Sequence, residues 1–152
     1  MPFDTLALPE DAGRILNKLF VNSMVDKDTF SRFLELDKPN EHDFSASIVF
    51  DFLDLAEDSF YQMDKALEHK VLIQLAWLGD WLKGSSARLG VIKVRDGCEK
   101  IEKYGTGIDE DGTTRLGSDI CLERISENLK IVKGDYKDVK TSLKEFYSRF
   151  GL

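Results

Sequence analysis

The sequence predicts an all-α fold, an antiparallel four-helix bundle with one or two additional N-terminal helices. Three observations lead there. All three prolines lie within the first 39 residues, so nothing after them forces a helix to break. Apolar residues recur in steps of three and four, the period of one helix face and not of a strand. The joints between the periodic segments are mostly short, which makes neighbouring helices antiparallel. With 152 residues the chain suits one domain and buries a core without disulfides or a metal.

The segments justify themselves in order. Residues 10–24 read as an amphipathic helix through Ile15, Leu19 and Phe20. Residues 29–36 read as a short helix and 37–42 as a turn. A long helix follows over 43–68, with the seam Val49, Leu53, Ala56, Phe60, Met63 and Leu67. Its first half carries a second apolar stripe, Phe44, Ile48, Phe52 and Leu55, which calls for a further partner such as an overlying helix. Residues 70–89 form the next helix, closed by Gly90 as a C′ residue. Residues 91–104 form another, with Val94, Cys98 and Ile101 inward and Gly105 ending it. Residues 105–117, GTGIDEDGTTRLG, are a loop by composition. The last helix spans about 119–150 along Leu122, Ile125, Leu129, Val132, Tyr136, Val139, Leu143, Phe146 and Phe150. Ser118 is its expected N-cap and Gly151 its stop, and Gly134 weakens it locally.

Charge and composition exclude several function classes. There are 28 acidic against 21 basic side chains and a net charge of −7. A nucleic-acid binder needs a basic face for phosphates. No apolar run approaches the ~20 residues of a membrane span. The opening MPFDTLALPEDAG has neither the basic nor the apolar region of a secretory signal. Cys98 and Cys121 offer no disulfide framework and no zinc spacing, which fits a reducing compartment. Asp109-Glu110-Asp111-Gly112 resembles the middle of a calcium loop, but Gly107 and Ser118 occupy its end positions, so the pattern fails. Gly79 to Gly84 has P-loop spacing, yet Ser85 stands where lysine is required.

The helix over 70–89 has an odd face. Projected at about 100° per residue, Leu75, Leu78, Leu82, Ser86 and Leu89 cluster beside Gly79 as a core side. The opposite side holds Ile73, Ala76, Trp77, Asp80, Gly84 and Ala87, with Lys83 at its edge. An outward face is normally charged; this one is apolar and small around a single carboxylate. Either the helix is buried on both sides and Asp80 is a tolerated polar group, or the face docks a partner and position 80 does chemistry.

LGDWLKGSSARLG (78–90), followed by VRDGCEKIEKYG (94–105), resembles the signature of the fungal histidine-containing phosphotransfer proteins. DFSASIVFDFLDLAEDSFYQMDKALE (43–68) and FLELD (33–37) resemble the same family. The resemblance covers roughly 30–150, dividing the chain into an N-terminal extension, 1–28, and a bundle domain, 29–152. It implies a phosphorelay intermediate of stress and osmosensing two-component pathways, monomeric, cytoplasmic and nuclear. Its implied partners are response-regulator receiver domains, including that of a hybrid sensor histidine kinase, and not nucleic acid or membrane. It implies no cofactor of its own, Mg²⁺ belonging to the receiver.

The family motif begins Leu-Gly-His, whereas this chain reads Leu78-Gly79-Asp80, so Asp80 stands at the phosphoacceptor position. By similarity, Lys83 neutralises phosphate, Gly84 lets a partner approach, and Glu102 lies near the acceptor. Phe30, Leu34, Phe44, Ile48 and Trp81 correspond to the receiver-docking patch. Ser85 and Ser86 are expected to bond the preceding turn. His42 and His69 are expected at the surface without a transfer role, His69 at a helix C-terminus that suits an imidazolium. Imidazole is neutral near pH 7 and leaves as readily as it attacks; a carboxylate is anionic and shorter. The chain as written is therefore expected not to relay phosphate, and to act as an intermediary rather than a turnover enzyme where the acceptor is restored. An engineered acceptor replacement, a natural receiver-binding pseudo-module and an unrelated helical adaptor are the three explanations that fit.

Overall fold

Every predicted helix forms, and the departures lie at the helix ends. The structure, a computed structural model, describes residues 8–152. Its elements are α1 (Glu10–Val21), α2 (Lys27–Leu34), α3 (Asp43–Glu68), α4 (Leu72–Leu89), α5 (Ile92–Gly105) and α6 (Ser118–Ser148). Among the described residues the β pairing is confined to two isolated bridges, Lys38 with Glu41 and Ile108 with Arg115. Around the bundle, α4 packs between α3 and α5, and α6 closes against α5 and α3. Helix α1 lies on α6, and α2 lies on α4.

The core contains the predicted pair of seams, together with the inward residues of the other helices. Val49, Leu53, Ala56, Phe60 and Met63 of α3 face Ile125, Leu129, Val132, Val139 and Leu143 of α6, all buried in one cluster. Each fully buried Val, Leu, Ile, Phe or Met among them contributes about 1.5–3 kcal/mol. Leu67, Leu122 and Phe150, the ends of the two seams, are only partly buried. The second stripe of α3 is uncovered at its start: Phe52 is buried, Ile48 half-buried and Phe44 exposed.

Capping explains the shifted boundaries. Asp26, not a residue near 28, starts α2: its carboxylate accepts from Thr29 N at 3.0 Å and Thr29 Oγ1 at 2.6 Å. Helix α2 therefore ends at Leu34, and Leu36 falls in the turn beyond it. Helix α1 stops at Val21, before Ser23 takes a left-handed φ of 56°. Ser118 is the first residue of α6 and Gly117 its N-cap, without a side-chain capping bond. Gly105 does not end α5 by backbone freedom; it is the last helical residue, and the left-handed position is Gly107, φ 82°.

Two further expectations fail for reasons of packing. Ala76, placed outward by the helical projection, is buried because α5 ends against it: a Cβ on Gly105 would lie 2.8 Å from Ala76 Cβ and 2.6 Å from its N. His42 is not a surface residue; its side chain is 11% exposed. Its Nδ1 lies 2.9 Å from Asp37 Oδ2, and its ring centroid 4.2 Å from that of Phe150. The same Asp37, 2% exposed, accepts from Ser45 N at 2.8 Å and Ser45 Oγ at 2.6 Å, so it caps α3 from outside the helix. Tyr147 OH donates to Ser45 Oγ at 2.8 Å, tying α6 into the group.

The residues assigned to an N-terminal extension are partly core. Ala12, Leu16 and Leu19 of α1 are buried, and Arg149 Nε pairs with Asp11 Oδ2 at 2.9 Å. The division between 28 and 29 falls inside α2. Residues 1–7 of that segment lie outside the described residues.

Two glycine substitutions have opposite expected signs. Gly105→Ala drives a methyl into backbone at 2.6 Å and should lower stability by about 1–3 kcal/mol. Gly134→Ala meets nothing within 4 Å in mid-helix and should raise it by about 1 kcal/mol. Thermal melts of the two variants check both. The pH dependence on the acid side follows from hydrogen bonds. The Thr29 hydroxyl and amide hold the Asp26 carboxyl below its usual value, and Lys140 and Tyr136 do the same for Glu57. A depressed folded-state value stabilises above the unfolded value and is lost as pH falls through it. Melting temperature should therefore fall as pH drops below about 4, and Asp26→Asn should flatten part of that slope.

Candidate functional site

Helix α4 separates into two faces, and the outward one is open. Leu75, Gly79, Leu82, Ser86 and Leu89 are buried. Trp77 is 73% and Trp81 62% exposed, and Ile73, Asp80, Gly84 and Ala87 lie on the surface with them. Two-sided burial is thus ruled out for this face. A Cβ added at Gly84 would meet nothing of this molecule within 4 Å. The helix itself does not need that glycine, which costs about 1 kcal/mol relative to alanine; open ground for another backbone is the gain it leaves.

The close fit of α4 on α5 sets the electrostatics. A Cβ on Gly79 would lie 2.9 Å from Cys98 O and 3.0 Å from Glu102 N, so the two backbones nearly touch there. One turn along α4, Lys83 Nζ reaches Glu102 Oε1 at 2.5 Å and Asp80 Oδ1 at 3.6 Å. The bond to Glu102 is the main reason the Lys83 ammonium is held above its ordinary value; burial opposes it, and the charges of Glu102, Asp80 and Glu99 add to it. Lys83 is thus a fixed cation shared by two carboxylates. Asp80 keeps a side chain 65% exposed, pointing outward beside Trp77 and Trp81.

Gly90 holds the neighbouring element in place. Its φ of 77° closes α4, its O accepts from Asp26 N at 2.7 Å, and a Cβ there would strike Thr29. Helix α2 is thereby clamped to the C-terminal end of α4. Phe30 and Leu34, expected in the docking patch, are buried and face the core instead. The outward residue of this segment is Leu36, 65% exposed, with Phe33 at the boundary. The exposure of Leu36 depends on where α2 begins, two residues before its expected start, and Asp26 followed by Thr29 is the sequence signal for that start. Leu36 and exposed Phe44 line one shallow groove with Lys38, Glu41 and Asp43.

Both serines and His69 lie where they are expected. Ser85 Oγ donates to Trp81 O at 3.3 Å and Ser86 Oγ to Leu82 O at 2.7 Å, both in the preceding turn. His69 caps the C-terminus of α3 at the surface. Neither histidine lies on α4, and His42 is committed to Asp37 at the start of α3. Cys98 is buried and its thiol is pushed up to about 12 by burial, which makes it inert at neutral pH. Among the described residues no group of three metal-ligating side chains comes together.

The chain is 42% identical over 127 residues to multistep phosphorelay regulator 1 of Schizosaccharomyces pombe, a match spanning 83% of this chain and 43% of that protein. It is 34% identical over 126 residues to phosphorelay intermediate protein YPD1 of Saccharomyces cerevisiae, spanning 81% of this chain and 70% of that one. The chain belongs to the fungal histidine-containing phosphotransfer family. No protein-family model matches the chain. It spans less than half the length of the S. pombe relative. Its fold matches the yeast YPD1 solved together with the receiver domain of the response regulator Ssk1, with a TM-score of 0.72, 25% identity, and coverage of 82% of this chain and 95% of that one.

The Lys83 bridge predicts a measurable titration. A raised folded-state value stabilises below the ordinary lysine range and is lost as pH rises through it. Glu102→Gln should bring the Lys83 ammonium back toward 10.5, read by NMR of its Nζ, and reduce the loss of melting temperature at alkaline pH.

Proposed function

We propose that this chain docks response-regulator receiver domains on the open face of α4 and, with Asp80 at the acceptor position, does not carry the phosphoryl group itself. The observation that supports it is the exposed Trp77–Asp80–Trp81–Gly84 face bearing a carboxylate where the family's motif has histidine. Transfer in this family requires the acyl phosphate bond of a receiver aspartate to break as a bond from phosphorus to an imidazole nitrogen forms. Position and charge neutralisation supply most of the catalysis. Lys83 meets the second need, but Asp80 offers no neutral imidazole nitrogen to take the phosphoryl group. Its carboxylate is anionic and repels the incoming phosphoryl group by roughly 4 kcal/mol per unit charge at about 4 Å and an effective dielectric of about 20. Lys83, already held by Glu102, offsets only part of this. Mg²⁺, in this reading, is held by the receiver.

Asp80 is also a weak substitute for a phosphorylated residue. It brings one negative charge where a phosphoryl group brings nearly two. The reading is therefore of a receiver-binding member of the phosphorelay whose relay step is blocked at one residue.

The expected outcomes are as follows. A titration with the Ssk1 receiver domain gives saturable binding by the unmodified chain; absence of binding overturns the docking reading. Radiolabel from a phosphorylated receiver does not appear on the unmodified chain and does appear on Asp80→His. Label on the unmodified chain, or none on a folded Asp80→His, overturns the account of the blocked step. Gly84→Gln, whose new side chain meets nothing inside the molecule, abolishes binding without lowering the melting temperature.

A further inference from the structure

We infer that Arg32 and Arg88 form a cationic rim that engages carboxylates of the protein docked on α4, and so selects partners with an acidic edge. The inference rests on the docking reading above.

Arg88 continues the open stripe of α4, following Trp77, Trp81 and Gly84 at steps of four, three and four. It is therefore on the same face, one turn beyond the glycine. Across from it, α2 is fixed by the Gly90 clamp, with Thr29 packed on Gly90 and Asp26 N bonded to its oxygen. The result is a groove lined by Thr29, Arg32, Phe33, Leu36 and Arg88. Leu36 lines both this groove and the one that contains Phe44, so the two grooves adjoin at that side chain.

The charges of this corner are unspent. Arg95, Arg124 and Arg149 each hold a carboxylate at 2.9 Å, whereas Arg14 on α1 and Arg115 in the loop before α6 are exposed without one among the described residues; Arg32 and Arg88 differ from those two in lining a common groove. Arg88 is exposed and makes no ion pair or hydrogen bond within the described residues, in a molecule with seven excess negative charges. Arg32 makes only a long bond, 3.4 Å, from Nε to Asp28 O. Arg88 lies in the last turn of α4, where a cation suits the helix dipole, but it makes no hydrogen bond to the carbonyls there. Two of those carbonyls are taken by backbone, Ser86 O by Val91 N at 2.9 Å and Ala87 O by Gly90 N at 3.1 Å. Arg88, and Arg32 beyond its long bond to Asp28 O and its charge on Asp26, flank this groove with guanidiniums suited to a partner's carboxylates, which they can grip as planar forks. Rim charges of this kind act chiefly on the rate of encounter.

The test is stopped-flow association with the Ssk1 receiver domain at varied salt. The Arg32→Gln/Arg88→Gln double variant is expected to associate roughly tenfold more slowly at low salt. The gap should close as salt rises and the screening length falls to about 10 Å at 0.1 M. Arg32→Lys/Arg88→Lys should recover much of the rate, and unchanged melting curves certify the fold. A double-Gln variant with the unmodified rate and salt slope overturns the inference. If Gly84→Gln abolishes binding while the arginine variants do not slow it, the rim falls and the docking face stands. If neither change affects binding, both fall. Loss in the double variant of binding to phosphatidylserine vesicles, with receiver association unchanged, would also overturn the inference in favour of a lipid surface.

Discussion

Helices α4 and α5 meet with almost no side chain between them. Gly79 admits the backbone of Cys98 and Glu102, and Gly105 admits that of Ala76. Two contacts of this kind, at separate levels of α4, fix both the distance and the rotation of the pair. Rotation is what matters for the site. With Gly79 turned inward, Asp80, Trp77 and Gly84 have to turn out, and Glu102 is carried to within reach of Lys83. The outward face is therefore a consequence of packing on the inward one, and the ion pair across the helices records that rotation.

A second constraint fixes the elements around that face. The turn between α2 and α3 would be a free linker without Asp37. Its carboxylate gathers His42, the backbone and hydroxyl of Ser45 and, through that hydroxyl, Tyr147 of α6. A buried carboxylate is tolerable only when it is bonded in this way. Leu36 and Phe44 flank this knot, which gives the edge of the face a defined position next to α4. The histidine that sequence reading set aside as a surface residue is thus a structural one.

Periodicity read the long elements well because each buries a single seam. The range of α3 was legible to the residue, and α6 to within two residues at either end. Positions determined by another element were not legible. Ala76 projects outward by helical angle but meets Gly105; Phe30 and Leu34 look like surface apolars until the Asp26 cap sets the phase of α2. On the site itself, Asp80, Lys83, Gly84, Trp81 and Glu102 could be read from the motif, because all lie on two adjacent helices of regular phase. The α2 contribution could not, since it depends on where an eight-residue helix begins.

The two tryptophans of this chain both sit on the open face of α4, and none lies in the core. The indoles are therefore in water in the free protein and would be dried by anything that settles there. The intrinsic emission of the molecule reports occupancy of that face with no added label. For the same reason it is nearly blind to unfolding, since rings already wet in the native state have little further solvent to gain.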